Sequence, residues 1–159
     1  MSTAHVITVS DGVAGGARED KSGPALVDVL SQGAFDVSGP EVVPDEVDRI
    51  TAAVMAAVER QVDVIVTTGG TGLGQRDVTP QAVAALFDYT VPGIGEMMRS
   101  AGAATTPMAA ISRSGAGVRG RTLIISVPGS ARGATESLDA IMPVLAHAVQ
   151  LLHGDTTHR

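Results

Sequence analysis

The sequence predicts an α/β protein with three layers, α-β-α, in which helices cover both faces of a mainly parallel sheet. Strand-like runs alternate with helical periodicity along the 159 residues, and this pattern is typical of parallel strands joined by helical crossovers. Hydrophobic residues make up 44% of the chain and aromatic residues only 2%, so the core must be aliphatic, as in sheets buried on both faces. The length fits one domain. We place it at residues 1–154, with residues 155–159 as a flexible tail.

Four segments have the residue types and lengths of strands. Each is rich in β-branched and aliphatic side chains and is bounded by turn-forming residues. The predicted strands cover residues 4–9, 35–43, 62–68 and 121–127. Gly39-Pro40 interrupts the second strand. The fourth strand is apolar on both faces, which predicts a central place in the sheet.

Five helices are expected between and after these strands. Ser22 and Thr79 are typical N-cap residues, and each is followed by a proline within the first helical turn. Asp45 is also a common type of N-cap, and apolar residues recur four positions apart behind it. The predicted helices cover about residues 22–33, 45–61, 79–87, 93–101 and 130–152. Residues 12–20, rich in glycine and charge, predict a flexible loop.

Short segments rich in glycine and small polar residues follow three of the four predicted strands, at the point where each strand ends. The three segments are Ser10-Asp11-Gly12, Thr68-Gly69-Gly70-Thr71-Gly72 and Pro128-Gly129-Ser130. In open parallel sheets, ligands bind beyond the carboxyl ends of the strands. The sequence therefore predicts one pocket built from these three loops.

Four glycines occupy the six positions 69–74, which lets backbone N–H groups approach a ligand without obstruction by a Cβ atom. Phosphate is the usual ligand of such a loop. A P-loop is excluded because Gln75-Arg76 stand where Lys and then Ser or Thr are required. A dinucleotide fingerprint is excluded because Gln75 replaces its third glycine. The alternative is a tight turn without a ligand, but such turns seldom need four glycines, so we favour a phosphate-bearing ligand.

Charge and composition exclude several classes of function. The formal net charge is −6, so attraction to nucleic acid or to an acidic membrane is not expected, and base stacking lacks its aromatic side chains. The chain has no cysteine, which excludes disulfides, iron–sulfur clusters and thiolate zinc sites. There is no N-terminal targeting pattern and no apolar run of membrane-spanning length. We expect a cytoplasmic protein that binds neither nucleic acid nor membranes.

Several motifs occur together in one order along the chain. They are Val9-Ser10-Asp11, Pro44-Asp45-Glu46, the glycine loop with Arg76-Asp77-Val78-Thr79-Pro80, Ser112-Arg113 and Pro128-Gly129-Ser130. This combination closely resembles the molybdenum cofactor biosynthesis family of the Mog and MoaB proteins and the gephyrin G domain, over nearly the whole chain. The resemblance implies a molybdopterin-binding domain that transfers AMP from Mg-ATP to molybdopterin and releases pyrophosphate. It also implies a homotrimer, or a hexamer of two trimers. One departure is Ala131-Arg132, where the family often has Pro and Lys.

The resemblance further implies roles for individual residues. Asp45 and Asp77 would bind Mg²⁺ and position the triphosphate of ATP, the co-substrate. For Asp45 alone, an ordinary helix cap is the alternative. The residues expected to enclose the pterin and its phosphate are Ser10, Asp11, Gly69, Gly70, Thr71, Gly72, Ser112, Gly129 and Ser130. Ser112 could instead cap local backbone.

Two arginines beside these motifs have alternative interpretations. Arg76 and Arg113 could neutralise phosphate charge as bidentate donors. Alternatively, both could pair with surface acids, and Arg76 could pair with Asp77.

Three functions are compatible with the sequence. The first is a molybdopterin adenylyltransferase, and the second is a MoaB-like protein that binds molybdopterin without transferring AMP. The third is an unrelated nucleotide-binding α/β domain, which the two failed glycine motifs make the weakest. The presence of both Asp45 and Asp77 favours the enzyme.

Overall fold

Six strands form one sheet in the computed structural model, which describes residues 1–157. The strands are β1 Thr3–Val9, β2 Asp36–Val43, β3 Val64–Thr68, β4 Tyr89–Thr90, β5 Gly115–Arg119 and β6 Thr122–Val127. Their order in the sheet is β2-β1-β3-β6-β5-β4. The pairings from β2 to β6 are parallel, and those of β5 with β6 and with β4 are antiparallel. The predicted mainly parallel sheet is confirmed, with β6 near its centre.

The two antiparallel strands, β4 and β5, were not predicted from the sequence. Strand β4 has only two residues, and β5 contains Gly115 and Gly117, which are unusual inside a strand. Gly117 is there because any Cβ atom would overlap the ring of Phe87, which packs directly on the strand. Along β2, the interruption at Gly39-Pro40 does not end the strand; its register with β1 shifts between His5 and Ile7 instead.

Six α-helices and a short 3-10 helix connect the strands in the described part of the chain. They are α1 Asp11–Ala14, α2 Ser22–Gln32, α3 Val47–Glu59, α4 Thr79–Ala84, α5 Pro92–Ala103 and α6 Ala131–Leu152, with the 3-10 helix at Pro107–Ile111. The prediction of a loop over residues 12–20 is partly wrong because α1 begins there. Helix α1 forms because the Ser10 hydroxyl accepts a hydrogen bond from the backbone N–H of Val13 at 3.2 Å.

The three predicted N-caps, Ser22, Asp45 and Thr79, do not cap their helices. The cap positions are Lys21, Glu46 and Val78 instead. The predicted residues have other bonds: Ser22 accepts from the Thr68 hydroxyl, and Thr79 donates to the carbonyl of Gly69. Asp45 pairs with Asp11. All three therefore fasten the loops at the carboxyl ends of the strands.

Helices cover both faces of the sheet, which confirms the predicted three layers. Alternate residues of the central strands point to opposite faces: Val64 and Val66 of β3 pack with α2, α5 and α6, whereas Ile65 packs with α3 and α4. Strand β6 repeats this division with Ile125 and Ile124. Strands β1, β3 and β6 are thus buried on both sides, whereas the edge strand β2 is largely exposed. For β6, this burial and the central place were predicted from its apolar sequence.

No described helix is long and apolar enough to cross a membrane. Beyond α6, the backbone N–H of Asp155 donates to the carbonyl of Gln150 at 3.0 Å. Residues 158 and 159 of the predicted tail lie outside the described residues.

The central strand supplies a test of the packing. Ile125 is 0% exposed between β3, β5 and the α6 face, so Ile125→Ala should lower the free energy of unfolding by about 2–5 kcal/mol. Urea denaturation measures this change. Val144→Ala, at a half-exposed position of α6, is the control and should cost far less. Equal losses at both positions would contradict the assigned core.

Candidate functional site

The three loops predicted to form a pocket meet because the central parallel strands end at the same level. Thr8 of β1 pairs with Thr68 of β3, and Thr68 pairs with Val127 of β6. A cleft of about 750 Å³ opens at this edge, a volume typical of small-molecule sites. We call it the strand-end cleft. Its lining includes Ser10, Arg18, Lys21, Asp45, Gly69, Gly70, Asp77, Gly129 and Ser130.

The other candidate residues lie around a second, smaller space. This side cavity has a volume of about 280 Å³, and its lining includes Thr71, Gly72, Ser112 and Ser114. Ser130 lines both cavities, so they are adjacent. The structure therefore divides the predicted residues between two connected spaces, while Asp11 bonds to Asp45 beside the cleft.

The glycine loop requires glycine at its first two positions. Gly69 and Gly70 have φ values of +103° and +69°, which are strained for residues with a side chain. A Cβ atom would overlap the Val9 carbonyl oxygen at Gly69 and the Thr79 hydroxyl at Gly70. Thr79 holds this conformation by donating from Oγ1 to the Gly69 carbonyl at 2.9 Å and from its backbone N–H to the Gly70 carbonyl at 3.2 Å.

The loop presents backbone donors. Within residues 1–157, the N–H groups of Gly70, Thr71 and Gly72 donate to no protein acceptor, although Thr71 is buried. Buried backbone N–H groups nearly always have a partner. Successive N–H groups in such a glycine turn form a concave site that favours anions.

Arg113 stabilises the glycine loop through hydrogen bonds to its backbone carbonyls. Its Nε and Nη2 donate to the carbonyl of Gly72 at 2.9 and 2.7 Å, and Nη2 also donates to the carbonyl of Asp77 at 2.7 Å. Its backbone N–H donates to the carbonyl of Thr71 at 2.8 Å. The alternative in which Arg113 pairs with a surface acid is therefore wrong for the described residues. Its guanidinium binds backbone carbonyls and shapes the loop, and its role toward a phosphate stays a prediction.

Asp11 and Asp45 join two further loops by a reciprocal pair of hydrogen bonds. The Asp11 N–H donates to Asp45 Oδ2 at 2.8 Å, and the Asp45 N–H donates to Asp11 Oδ1 at 3.0 Å. Arg76 adds the glycine loop to this pair, because its Nε and Nη2 donate to the Asp11 carboxylate at 2.9 and 3.0 Å. The partner of Arg76 is thus Asp11, and its alternative pairing with Asp77 is wrong.

Asp45, one of the two candidate metal ligands, lies partly buried near other charged groups. Burial raises the pKa of Asp45, and the negative charges of Asp11 and Asp77 raise it further, against the lowering effects of the Asp11 N–H and of Arg76. A carboxylate that is desolvated beside like charges gains most from a nearby cation. Asp45 and Asp77 both line the strand-end cleft.

These residues fit Mg²⁺, which prefers oxygen ligands and is commonly held by one or two carboxylates together with substrate phosphates. Among the described residues, no cluster of three or more His, Cys, Asp or Glu side chains is arranged to hold a metal ion. Two carboxylates are too few to hold a metal ion alone. They suit a metal ion whose other ligands come from the phosphates of a bound substrate.

The fold and this site define a class: α/β domains with a glycine-rich loop and two carboxylates at the carboxyl ends of the strands. Residues 5–147 match the family model described as "Probable molybdopterin binding domain", and the chain belongs to this family. The resemblance drawn from the motifs is confirmed.

Several similar proteins have names from molybdenum cofactor biosynthesis. The solved structure of the molybdopterin biosynthesis enzyme MoaB from Thermus thermophilus is 48% identical, with a TM-score of 0.91, and the match covers 97% of this chain and 98% of that one. The molybdopterin adenylyltransferase of Helicobacter pylori strain J99 is 38% identical, over 98% of this chain and 91% of its own length. A bifunctional molybdenum cofactor biosynthesis protein of Synechococcus elongatus is 43% identical over 95% of this chain, which spans 47% of that protein.

Sequence reasoning missed three residues of the cleft region. Arg18 and Lys21 line the cleft, and Asp20 accepts from the Thr8 hydroxyl at 2.8 Å and from the Gly23 N–H at 3.0 Å. All three were assigned to a flexible loop or its end. The sequence held one indication that Lys21 belongs to the site: it is the only lysine in the chain and directly precedes a predicted helix.

The bond from Arg76 can be tested by titration. It lowers the pKa of Asp11, so the stability it contributes is present above the unfolded-state pKa and is lost as the pH falls through the lowered value. In Arg76→Gln, the pKa of Asp11 should rise toward its ordinary range. Carboxyl ¹³C NMR measures both proteins, with Arg49→Gln as a control of equal charge. An unchanged pKa of Asp11 in Arg76→Gln would show that the bond does not persist in solution.

Proposed function

We propose that the chain transfers AMP from Mg-ATP to the phosphate of molybdopterin, giving adenylyl-molybdopterin and pyrophosphate. The observation that carries the proposal is the placement of Asp45 and Asp77 on one cleft with Gly69 and Gly70, next to the side cavity lined by Thr71 and Gly72. Within residues 1–157, the N–H groups of Gly70, Thr71 and Gly72 donate to no protein acceptor. The close relationship to a protein named molybdopterin adenylyltransferase supports it.

The reaction requires little covalent chemistry from the protein. A phosphate oxygen of molybdopterin attacks the α-phosphorus of ATP and forms the new P–O bond. The bond from that phosphorus to the bridging oxygen breaks, and its electron pair leaves with pyrophosphate. The nucleophile belongs to the substrate, so the protein must align the two phosphates and neutralise their crowded charge.

The loop and the two carboxylates supply these functions. We assign the N–H groups of Gly70, Thr71 and Gly72 to phosphate oxygens, which they can bind without rearrangement because Thr79 and Arg113 already hold the loop. We assign Mg²⁺ to Asp45 and Asp77. Bound there, the ion would offset negative charge on the phosphates.

Hydroxyl groups around the two cavities can orient the pterin. The Ser10 and Ser130 hydroxyls accept cap bonds from the N–H groups of Val13 and Gly133, so each retains its own proton for donation. The Ser112 and Ser114 hydroxyls bond to one another at 2.8 Å in the side cavity. Such fixed donors and acceptors suit a flat heterocycle with several polar edges.

A molybdopterin-binding protein without transferase activity is the second candidate. It rests on the 48% identity to MoaB from Thermus thermophilus, which is named as a molybdopterin biosynthesis enzyme without mention of adenylyl transfer. It uses the same cleft and differs in turnover alone. Tight molybdopterin binding by the wild-type protein without pyrophosphate release from Mg-ATP would decide for this candidate.

Substitution of the two carboxylates tests the transferase. Asp45→Asn and Asp77→Asn each remove a charge but keep an oxygen that can accept the existing backbone hydrogen bond. Each change should lower kcat for pyrophosphate release by about 10²-fold or more, through lost charge stabilisation in the transition state. Molybdopterin affinity should change little.

The matched control is Asp28→Asn, which removes an equal charge from an exposed position of α2 and should leave kcat unchanged. Full activity in both Asp45→Asn and Asp77→Asn would rule out the assigned roles.

A further inference from the structure

Two basic side chains of the strand-end cleft have no role in the description above. Arg18 and Lys21 both line the cleft, from the segment between α1 and α2. They are the basic residues among its lining, beside the acids Glu19, Asp20, Asp45 and Asp77.

Two other arginines near the site, Arg76 and Arg113, form hydrogen bonds to groups of the protein. Arg76 is bound to the Asp11 carboxylate, and Arg113 is bound to the carbonyls of Gly72 and Asp77. By contrast, within residues 1–157 the side chains of Arg18 and Lys21 form neither a salt bridge nor a hydrogen bond, and both residues are exposed. Two positive charges on the lining of the cleft are therefore not paired with an acid in this part of the chain.

The backbone around Lys21 is fixed on both sides. Before it, the Asp20 carboxylate accepts from Thr8 at the end of β1 and from Gly23 in α2. After it, the buried Ser22 accepts from Thr68 at 3.1 Å. Lys21 therefore stands between two residues that are bonded to the ends of β1 and β3, where the cleft begins. This anchoring explains why a segment predicted as flexible can present a cation at a defined place.

Arg18 is held in a similar way. Its backbone N–H donates to the carbonyl of Gly12 at 3.0 Å, and its side chain lies over Gly12, where a Cβ atom would stand 3.4–3.7 Å from the Arg18 side chain. Both cations thus belong to one anchored segment at the same end of the cleft.

We propose that Arg18 and Lys21 bind the β- and γ-phosphates of ATP, and then the pyrophosphate that these phosphates become. This inference rests on the proposed adenylyl transfer and deepens it. When the bond to the α-phosphorus breaks, negative charge grows on the departing bridging oxygen. Cations that hold the leaving group stabilise that charge. None of the residues assigned above to molybdopterin lies in the segment of Arg18 and Lys21, so its affinity should not depend on them.

The test uses Mg-pyrophosphate as the probe, with affinities measured by calorimetry. Lys21→Gln and Arg18→Gln should each weaken pyrophosphate binding about tenfold or more, since each loses a charge-assisted contact. Their affinity for molybdopterin should equal that of the wild type. Lys21→Arg should keep most of the pyrophosphate affinity because it keeps the charge. Arg60→Gln, at the exposed end of α3, is the control and should bind as the wild type does.

The single lysine allows a second readout on the unmutated chain. Reductive ¹³C-methylation labels Lys21 as the only ε-amino group, and Mg-pyrophosphate should shift its methyl signal while molybdopterin alone should not.

The possible results distinguish a failure of this inference from a failure of the proposed adenylyl transfer. If the wild type releases pyrophosphate from Mg-ATP but Lys21→Gln and Arg18→Gln bind pyrophosphate as tightly as the wild type, the inference is wrong and the transferase stands. Equal losses of pyrophosphate and molybdopterin affinity would also overturn it. A wild type that binds molybdopterin but neither ATP nor pyrophosphate would overturn both.

Discussion

The parallel register of β1, β3 and β6 is the constraint on which the site depends. Because Thr8, Thr68 and Val127 lie side by side in the sheet, the loops that follow these strands converge. The fit is tight: a Cβ atom at Gly69 would overlap the carbonyl of Val9, so the end of β3 lies directly against the end of β1. The aliphatic cores on both faces hold this register, and a slip of one residue would turn every strand side chain toward the wrong face.

Hydrogen bonds from polar side chains fix the converging loops in one conformation. Thr79 and Arg113 bind carbonyls of the glycine loop, and Asp11 joins Asp45 to Arg76. The N–H groups of the loop and the carboxylate of Asp45 are thereby fixed before a ligand arrives. Burial is the chief cause of the raised pKa of Asp45, so the ionised carboxylate is less stable there than in water and gains from a partner of opposite charge.

The sequence predicted the central strands correctly because their residue types alone favour β-structure. The strands at 4–9, 62–68 and 121–127 are rich in β-branched and aliphatic residues, and their converging ends follow from the parallel topology. The hydrogen-bond partners of Asp45, Arg76 and Arg113 could not be predicted, because each partner comes from a distant segment. Strand β5 was missed because the need for glycine at position 117 comes from packing against Phe87, a tertiary contact. The position of Lys21 was missed because its anchor at Thr8 is a tertiary contact.

The most direct measurement is a single turnover with the wild-type protein in excess over molybdopterin, in the presence of Mg-ATP labelled at the α-phosphate. Adenylyl transfer predicts one label incorporated into each molybdopterin, one pyrophosphate released for each label, and no transfer when Mg²⁺ is chelated. Molybdopterin that remains bound and unlabelled while ATP stays intact would contradict the transferase and would make the cleft a binding site alone.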